Sequence, residues 1–415
     1  MNSRRIFLKD GGIAVLGLSL VPGFVYRAAM ATKSKLGRKK TLITIFQRGG
    51  ADGLNLVVPF GDKDYYLHRP SIGIRAPSSE GTSAIDLDGF FGLHPSLESL
   101  LPIYNAGDFA IIHATGSPHP TRSHFQAQEY MESGVPGDRT IDDGWLNRYL
   151  VHNPDPASTT FRGVSMGPVL PRALTGSAPA LALGSMTSSE MTSDTREMYK
   201  TLYDEESNAL LSGTSHELFE AMDQLKELNP QGYEPSNGAN YPTQGQQAGR
   251  FARNMSQVAQ LVKADLGLEL AFVDSNLFWD THSNQEGQFP QILTRFSQTL
   301  AAFYEDLGDR MEDVLILTMS EFGRTARENG NAGTDHGKAT VMFLIGGSIQ
   351  GGKVYGDWPG LAPEVLNENR DLAMTTDFRD VFAEVLVNFL DCENPDAVFP
   401  DLVLDPARYK GVVAV

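Results

Sequence analysis

Carboxylate and imidazole side chains fall at a few places in this chain where they could do chemistry together. Asp52 lies in QRGGADGLN, a glycine-rich stretch whose backbone can approach a ligand closely. Asp280 and His282 form a D-x-H in DSNLFWDTHSN; Glu321 and Arg324 lie in SEFGRT, and Asp335 and His336 in GTDHG. Ser123, in TGSPHPTRSHFQAQEYM, precedes a helix-like segment whose N-terminal amides can stabilise an anion. Carboxylates with imidazoles suit Zn²⁺, Mn²⁺, Fe or Mg²⁺, and paired sites of this kind clamp the attacking and leaving oxygens in phosphoryl or sulfuryl transfer. Cys392 is the only cysteine, so neither an internal disulfide nor a thiolate metal site can form. Each residue also has a plain structural reading. Asp52 can be a turn former, His282 a hydrogen-bonded histidine, Glu321 a helix cap, and Asp335 with His336 an ordinary turn. Asp280 and His282 face one side only if their segment is extended.

The elements that must position these residues are apolar runs without polar alternation, which read as strands buried on both faces. They are TLITIF (Thr41 to Phe46), FAIIHA (Phe109 to Ala114), LELAFV (Leu268 to Val273), VLILTM (Val314 to Met319) and TVMFLIGG (Thr340 to Gly347). Between the third and fourth, QILTRFSQTLAAFYEDLG places Ile292, Leu293, Phe296, Leu300, Phe303 and Leu307 on one helical face, so the unit is a βαβ crossover with a parallel pair. A last amphipathic helix starts at Asp377, with Thr376 as its N-cap. Residues 150–250, rich in Pro, Gly, Ser and Thr, read as an insertion or lid. The expected fold is α/β, a mostly parallel central sheet flanked by helices with a loop-rich insertion. In such sheets ligands bind beyond the carboxyl ends of the strands, where Asp52, Ser123, Asp280, His282, Glu321 and Arg324 all fall. His336 fits that edge only if TVMFLIGG is antiparallel or its loop reaches across. A competing signal, GVSMG around Ser165, matches a nucleophile elbow but lacks the following helix, because Pro168 comes immediately after it.

Composition sets the partners. The 415 residues are 41% hydrophobic and 20% charged, with a formal charge of −17. Without residues 1–31 the chain keeps 30 basic and 50 acidic residues, a charge of −20, which repels nucleic acid and anionic lipid. SRRIFLK (Ser3 to Lys9) is a twin-arginine motif followed by GGIAVLGLSLVPGFV, too short and broken for a stable membrane span, which needs about 20 apolar residues. Ala29-Met30-Ala31 then offers a cleavage site before Thr32. Residues 1–31 are expected to be a signal read by the twin-arginine translocation machinery, and residues 32–415 a periplasmic or otherwise extracytoplasmic protein.

The blocks FQRGGADGLNLVVPF, LHPSLESLLPIY, RSHFQAQEYMESG, GWLNRYL, WDTHSNQ, LTMSEFGRT, GTDHG and GGKVYGDWPGL resemble, in order and over nearly all of residues 32–415, the bacterial domain-of-unknown-function 1501 family. That resemblance implies the alkaline phosphatase and sulfatase superfamily, an α/β sandwich with one or two divalent ions (Zn, Mg or Mn) at the strand ends. Asp52 then corresponds to the first metal carboxylate and Ser123 to the nucleophile. Asp280, His282, Asp335 and His336 correspond to metal-site residues. Glu321 stands where the superfamily has an aspartate, whereas Phe322 replaces a histidine ligand. The implied activity is hydrolysis of an anionic phosphate or sulfate ester, with Arg324 binding an ester oxygen or neutralising Glu321. The alternative is a non-catalytic module on the same fold, binding a partner or polysaccharide.

Overall fold

The structure is a computed structural model describing residues 38–79, 81–186, 221–245 and 249–414. The twin-arginine segment, its cleavage site and the centre of the 150–250 segment lie outside the described residues. Among the described residues a nine-stranded sheet forms from β1 (Thr41–Phe46), β2 (Phe109–Gly116), β3 (Gly163–Ser165), β4 (Leu181–Ala182), β5 (Leu270–Asp274), β6 (Val314–Met319), β7 (Thr340–Gly346), β8 (Lys353–Tyr355) and β9 (Thr376–Asp377). Its order is β8-β2-β7-β6-β1-β5-β3-β4, with β9 also beside β2. β5 and β6 both run parallel to β1, which lies between them, so the crossover spans a strand rather than joining an adjacent pair. β7 runs antiparallel to both β6 and β2, and the other strands share one direction. Residues 163–182, read as part of an insertion, therefore supply β3 and β4 at the sheet edge. Ser165 is buried in β3, not raised on an elbow.

Successive residues of a strand face opposite sides, and both sides are covered. Ile43, Ile45, Ile316, Phe343 and Ile345 meet the helices Arg250–Lys263 and Gln285–Leu307. Leu42, Phe46, Leu315, Leu317, Met342 and Leu344 meet Trp145–His152 and Phe378–Glu384. Each such buried side chain contributes about 1.5–3 kcal/mol, so a one-residue slip in register, which would exchange the two faces, is strongly disfavoured. The N-cap of the Phe378 helix is Asp377, whose carboxylate accepts from the Arg379 amide, while Thr376 sits in β9. No helix among the described residues is long and apolar enough to cross a membrane.

Directly after β1 the chain buries Asp52 completely. Arg69 grips it with two bonds, Nη1 to Oδ2 at 2.7 Å and Nη2 to Oδ1 at 2.9 Å, and Gln285 Nε2 donates to Oδ2 at 2.8 Å. The same guanidinium donates to the carbonyls of Thr325 (2.9 Å) and Ala326 (3.0 Å), joining the loop after β1 to the loop after β6. Asp52, expected as a metal carboxylate, is thus spent on an internal ion pair. Bidentate Arg–carboxylate geometry satisfies both charges, whereas an orphaned partner would stay buried. Asp52→Ala is expected to lower unfolding free energy by about 3–5 kcal/mol in urea denaturation while leaving the ion content of the folded protein unchanged.

Candidate metal centre

The antiparallel direction of β7 brings its N-terminal end to the edge where β1, β2, β5 and β6 deliver their carboxyl ends. Four loops converge there. Asp280 comes from the loop after β5, Glu321 directly follows β6, and His336 precedes β7. His124 opens α1 (His124–Ser133), the helix after β2. Potential ligand atoms of His124, Asp280 and His336 all lie within 4.8 Å of one another. His282 joins on the exposed side, its Nε2 3.0 Å from Asp280 Oδ1 and 3.0 Å from His336 Nε2.

Each imidazole is oriented through Nδ1. His124 Nδ1 lies 2.8 Å from Glu321 Oε1, His336 Nδ1 2.9 Å from the Arg122 carbonyl, and His282 Nδ1 3.3 Å from Asp335 Oδ1. All three partners are acceptors, so Nδ1 donates to them, and a ring in its neutral form has its Nε2 lone pair turned to the centre. His124 Nε2 is buried without a hydrogen bond, its nearest acceptor being Asp280 Oδ2 at 3.5 Å. His282 Nε2 and His336 Nε2 lie 3.0 Å apart and both face Asp280 Oδ1, a grouping of acceptor atoms that is favourable only with a proton or a cation between them. With Zn–N bonds of about 2.0–2.1 Å, two nitrogens on a tetrahedral ion stand about 3.3 Å apart, close to the 3.0 Å between His282 and His336, while the His124, Asp280 and His336 ligand atoms lie within 4.8 Å of one another. A divalent ion therefore fits these residues.

The charges agree. His124 is pulled up to about 9 by the Asp280 carboxylate at Nε2 and by Glu321 at Nδ1, against burial. Burial raises the Asp280 pKa, but His124, His336 and Arg324 outweigh it and hold the carboxyl well below the usual range. Glu321 is buried too, and its bonds from His124, Gln128 and the Gly49 amide keep it ionised. These carboxylates favour positive charge on His124.

Arg324 does not reach solvent. Its guanidinium donates to the carbonyls of Gly49, Gly50 (2.6 Å), Trp279 (3.3 Å) and Thr334 (3.1 Å) and to Asp280 Oδ1. The two roles expected of Arg324, binding an ester oxygen or neutralising Glu321, are both replaced: its Nε, Nη1 and Nη2 all bond inward and its charge partner is Asp280. Close packing follows: Gly49 has φ +122°, and a Cβ there would stand 2.8 Å from the Asp280 amide nitrogen. Phe322 is buried beneath the imidazoles, its ring centroid 4.9 Å from that of His124 and 4.8 Å from that of His336. Its ring forms an aromatic floor under the site.

Of the residues expected at the site, Asp280, His282, Asp335 and His336 gather. Glu321 and Asp335 touch imidazoles rather than the centre itself. Ser123 is exposed at the N-cap of α1, where its side chain caps no amide. His124 was not anticipated, although it follows Ser123 directly. Gln128, one helical turn on, faces Glu321 and was equally unforeseen, for an i, i+4 His/Gln pair in a polar helix gives no distinctive signal.

No curated protein matches the chain. Among solved structures, the C-terminal periplasmic domain of EcEptC from Escherichia coli, in complex with Zn, is similar at a TM-score of 0.36 and 6% identity, covering 75% of this chain and 74% of that one. The PsFucS1 sulfatase from Pseudoalteromonas sp. scores 0.37 at 13% identity, covering 80% and 66%. The lipoteichoic acid synthase LtaP from Listeria monocytogenes scores 0.33 at 8%, covering 80% and 69%. Residues 39–389 match the family described as Protein of unknown function (DUF1501), and the chain belongs to that family.

Proposed function

We propose that this is an exported hydrolase of phosphate or sulfate esters that works with one divalent ion. His124, Asp280 and His336 would hold the ion, and His282 would add a donor on the open side. The observation that carries this reading is the convergence of three imidazole Nε2 atoms on one carboxylate, each ring fixed through its Nδ1. A mixed imidazole and carboxylate set suits Zn²⁺ or Mn²⁺ better than Mg²⁺, which prefers oxygen alone. When bound, such an ion supplies Lewis acidity and makes a bound water more acidic.

The chain's own groups complete the site. The Ser123 hydroxyl is free of capping duty and stands one residue before His124, where the first-turn amides of α1 carry partial positive charge. It is the group placed to meet the ester, with the helix N-terminus receiving the anionic oxygens. Phe125 and Phe278 are largely exposed one residue from His124 and two from Asp280, offering ring faces to the organic part of a substrate. Export by the twin-arginine route, from the SRRIFLK segment, places this activity outside the cytoplasm and allows the ion to be loaded before transit.

A second reading, a non-catalytic module that binds a polysaccharide or protein partner, is favoured by two observations. Asp52 is locked to Arg69 and Phe322 fills a ligand position, so the described residues form one ligand group and not the pair used for a two-ion clamp. Elemental analysis is expected to find one divalent ion per chain, lost in His336→Ala. Turnover of an aryl phosphate or aryl sulfate is expected to fall roughly 100-fold or more in Ser123→Ala with the ion retained. Ion-loaded protein inert toward both ester classes overturns the hydrolase reading and leaves the binding module.

The proton on His124 predicts a pH dependence. With its pKa raised to about 9, His124 is protonated in the ion-free protein at neutral pH, and the ion must displace that proton. Affinity for Zn²⁺ is therefore expected to rise with pH, by about tenfold per unit between roughly pH 6 and 8 for one displaced proton. Calorimetry in buffers of different ionisation enthalpy should register the released proton.

A further inference from the structure

We infer that Gln128, itself oriented by Arg48, is a positioning residue that sets which nitrogen of His124 faces the ion. This rests on the metal centre proposed above and adds a chain of hydrogen bonds behind it. Glu321 Oε1 receives three donors: the Gly49 amide at 2.8 Å, His124 Nδ1 at 2.8 Å and Gln128 Nε2 at 2.9 Å. A side-chain amide can present either its oxygen or its nitrogen, and Gln128 would serve Glu321 only in one orientation. Arg48 removes the ambiguity. Its Nη1 lies 3.1 Å from Gln128 Oε1 and, having only N–H groups to offer, fixes that atom as the acceptor. The amide nitrogen is then turned toward Glu321.

The consequence passes along the chain. Glu321 is surrounded by donors and remains an acceptor, so His124 Nδ1 must donate to it and His124 Nε2 keeps its lone pair for the ion. Arg48 is held as firmly as it holds. Its Nε lies 2.6 Å from Asp274 Oδ1 at the end of β5, its Nη2 2.8 Å from Glu132 Oε1, and its Cζ 4.1 Å over the Phe46 ring. Gln128 and Glu132 stand one turn apart on α1, so a single helical face presents the ligand, its orienting amide and the carboxylate that anchors Arg48. Four elements thus fix one imidazole: the loop after β1, the end of β5, the segment after β6 that carries Glu321, and α1.

Titration of the full-length mature protein with Zn²⁺, and the visible spectrum of its Co²⁺ form, test this. Gln128→Glu keeps a partner for Arg48 but sets an acceptor against Glu321. It is expected to weaken Zn²⁺ binding roughly 10- to 100-fold and to change the Co²⁺ bands. Arg48→Met should do the same, Arg48→Lys should recover most of the affinity because it retains a donor, and Arg139→Ala, which breaks an exposed pair with Glu129 on the same helix, should change nothing. Gln128→Glu protein that is folded by circular dichroism and binds Zn²⁺ as tightly as wild type, with an unaltered Co²⁺ spectrum, overturns the positioning role while leaving the metal centre intact. Wild-type protein that binds no Zn²⁺ removes the metal centre and this role together.

Discussion

The buried guanidinium of Arg324 holds the site together. The loop after β5 and the segment before β7 already share backbone hydrogen bonds, such as Thr334 N–H to the Thr281 carbonyl, and Arg324 ties both to the loop after β1. Arg324 binds a carbonyl from each, at Gly49 and Gly50, at Trp279 and at Thr334, and takes the carboxylate of Asp280 as well. Burying a cation costs several kcal/mol unless its hydrogen bonds are met, and here the donors are distributed over five acceptors. A site carried on loops acquires the rigidity of the sheet in this way, because the loops cannot separate without stranding the charge.

The remaining charges follow from that arrangement. Arg324 balances one carboxylate, yet Asp280, Glu321 and Asp335 all lie among the imidazoles. With the histidines neutral, the cluster keeps an excess of two negative charges, which a divalent cation would neutralise. Without an ion, protons take that role, and the elevated pKa of His124 is the form this takes in the structure. An ion held there would compete with that proton for the same Nε2.

The parts of this protein most legible in its sequence are those set by hydrophobic periodicity. The runs TLITIF and VLILTM match their strands residue for residue, since β-branched and apolar residues with no polar alternation leave no other buried solution. For β7 the sequence leaves two courses open, an antiparallel strand or a loop reaching across, and the structure has the antiparallel one. Asp52 shows where such reasoning stops. A glycine-rich loop after a strand suits a ligand carboxylate and a buried ion pair equally, and Arg69, 17 residues later, carries no mark of being its partner. His124 escaped notice for a related reason: a polar residue opening a polar helix looks the same whether it faces water or an ion, and only the loops around it decide.

Asp52 and Phe322 both depart from what the sequence resemblance implies: the Asp52 carboxylate is neutralised by Arg69, and the Phe322 ring packs against His336. The ring of Phe322 contacts the backbone at Gly50, where φ is +71° and a Cβ would stand only 2.6 Å from the ring. It thereby excludes water from beneath His124 and His336, and at lower local polarity the attraction of the remaining carboxylate for a cation grows stronger. Phe322 thus strengthens the attraction of this carboxylate cluster for positive charge.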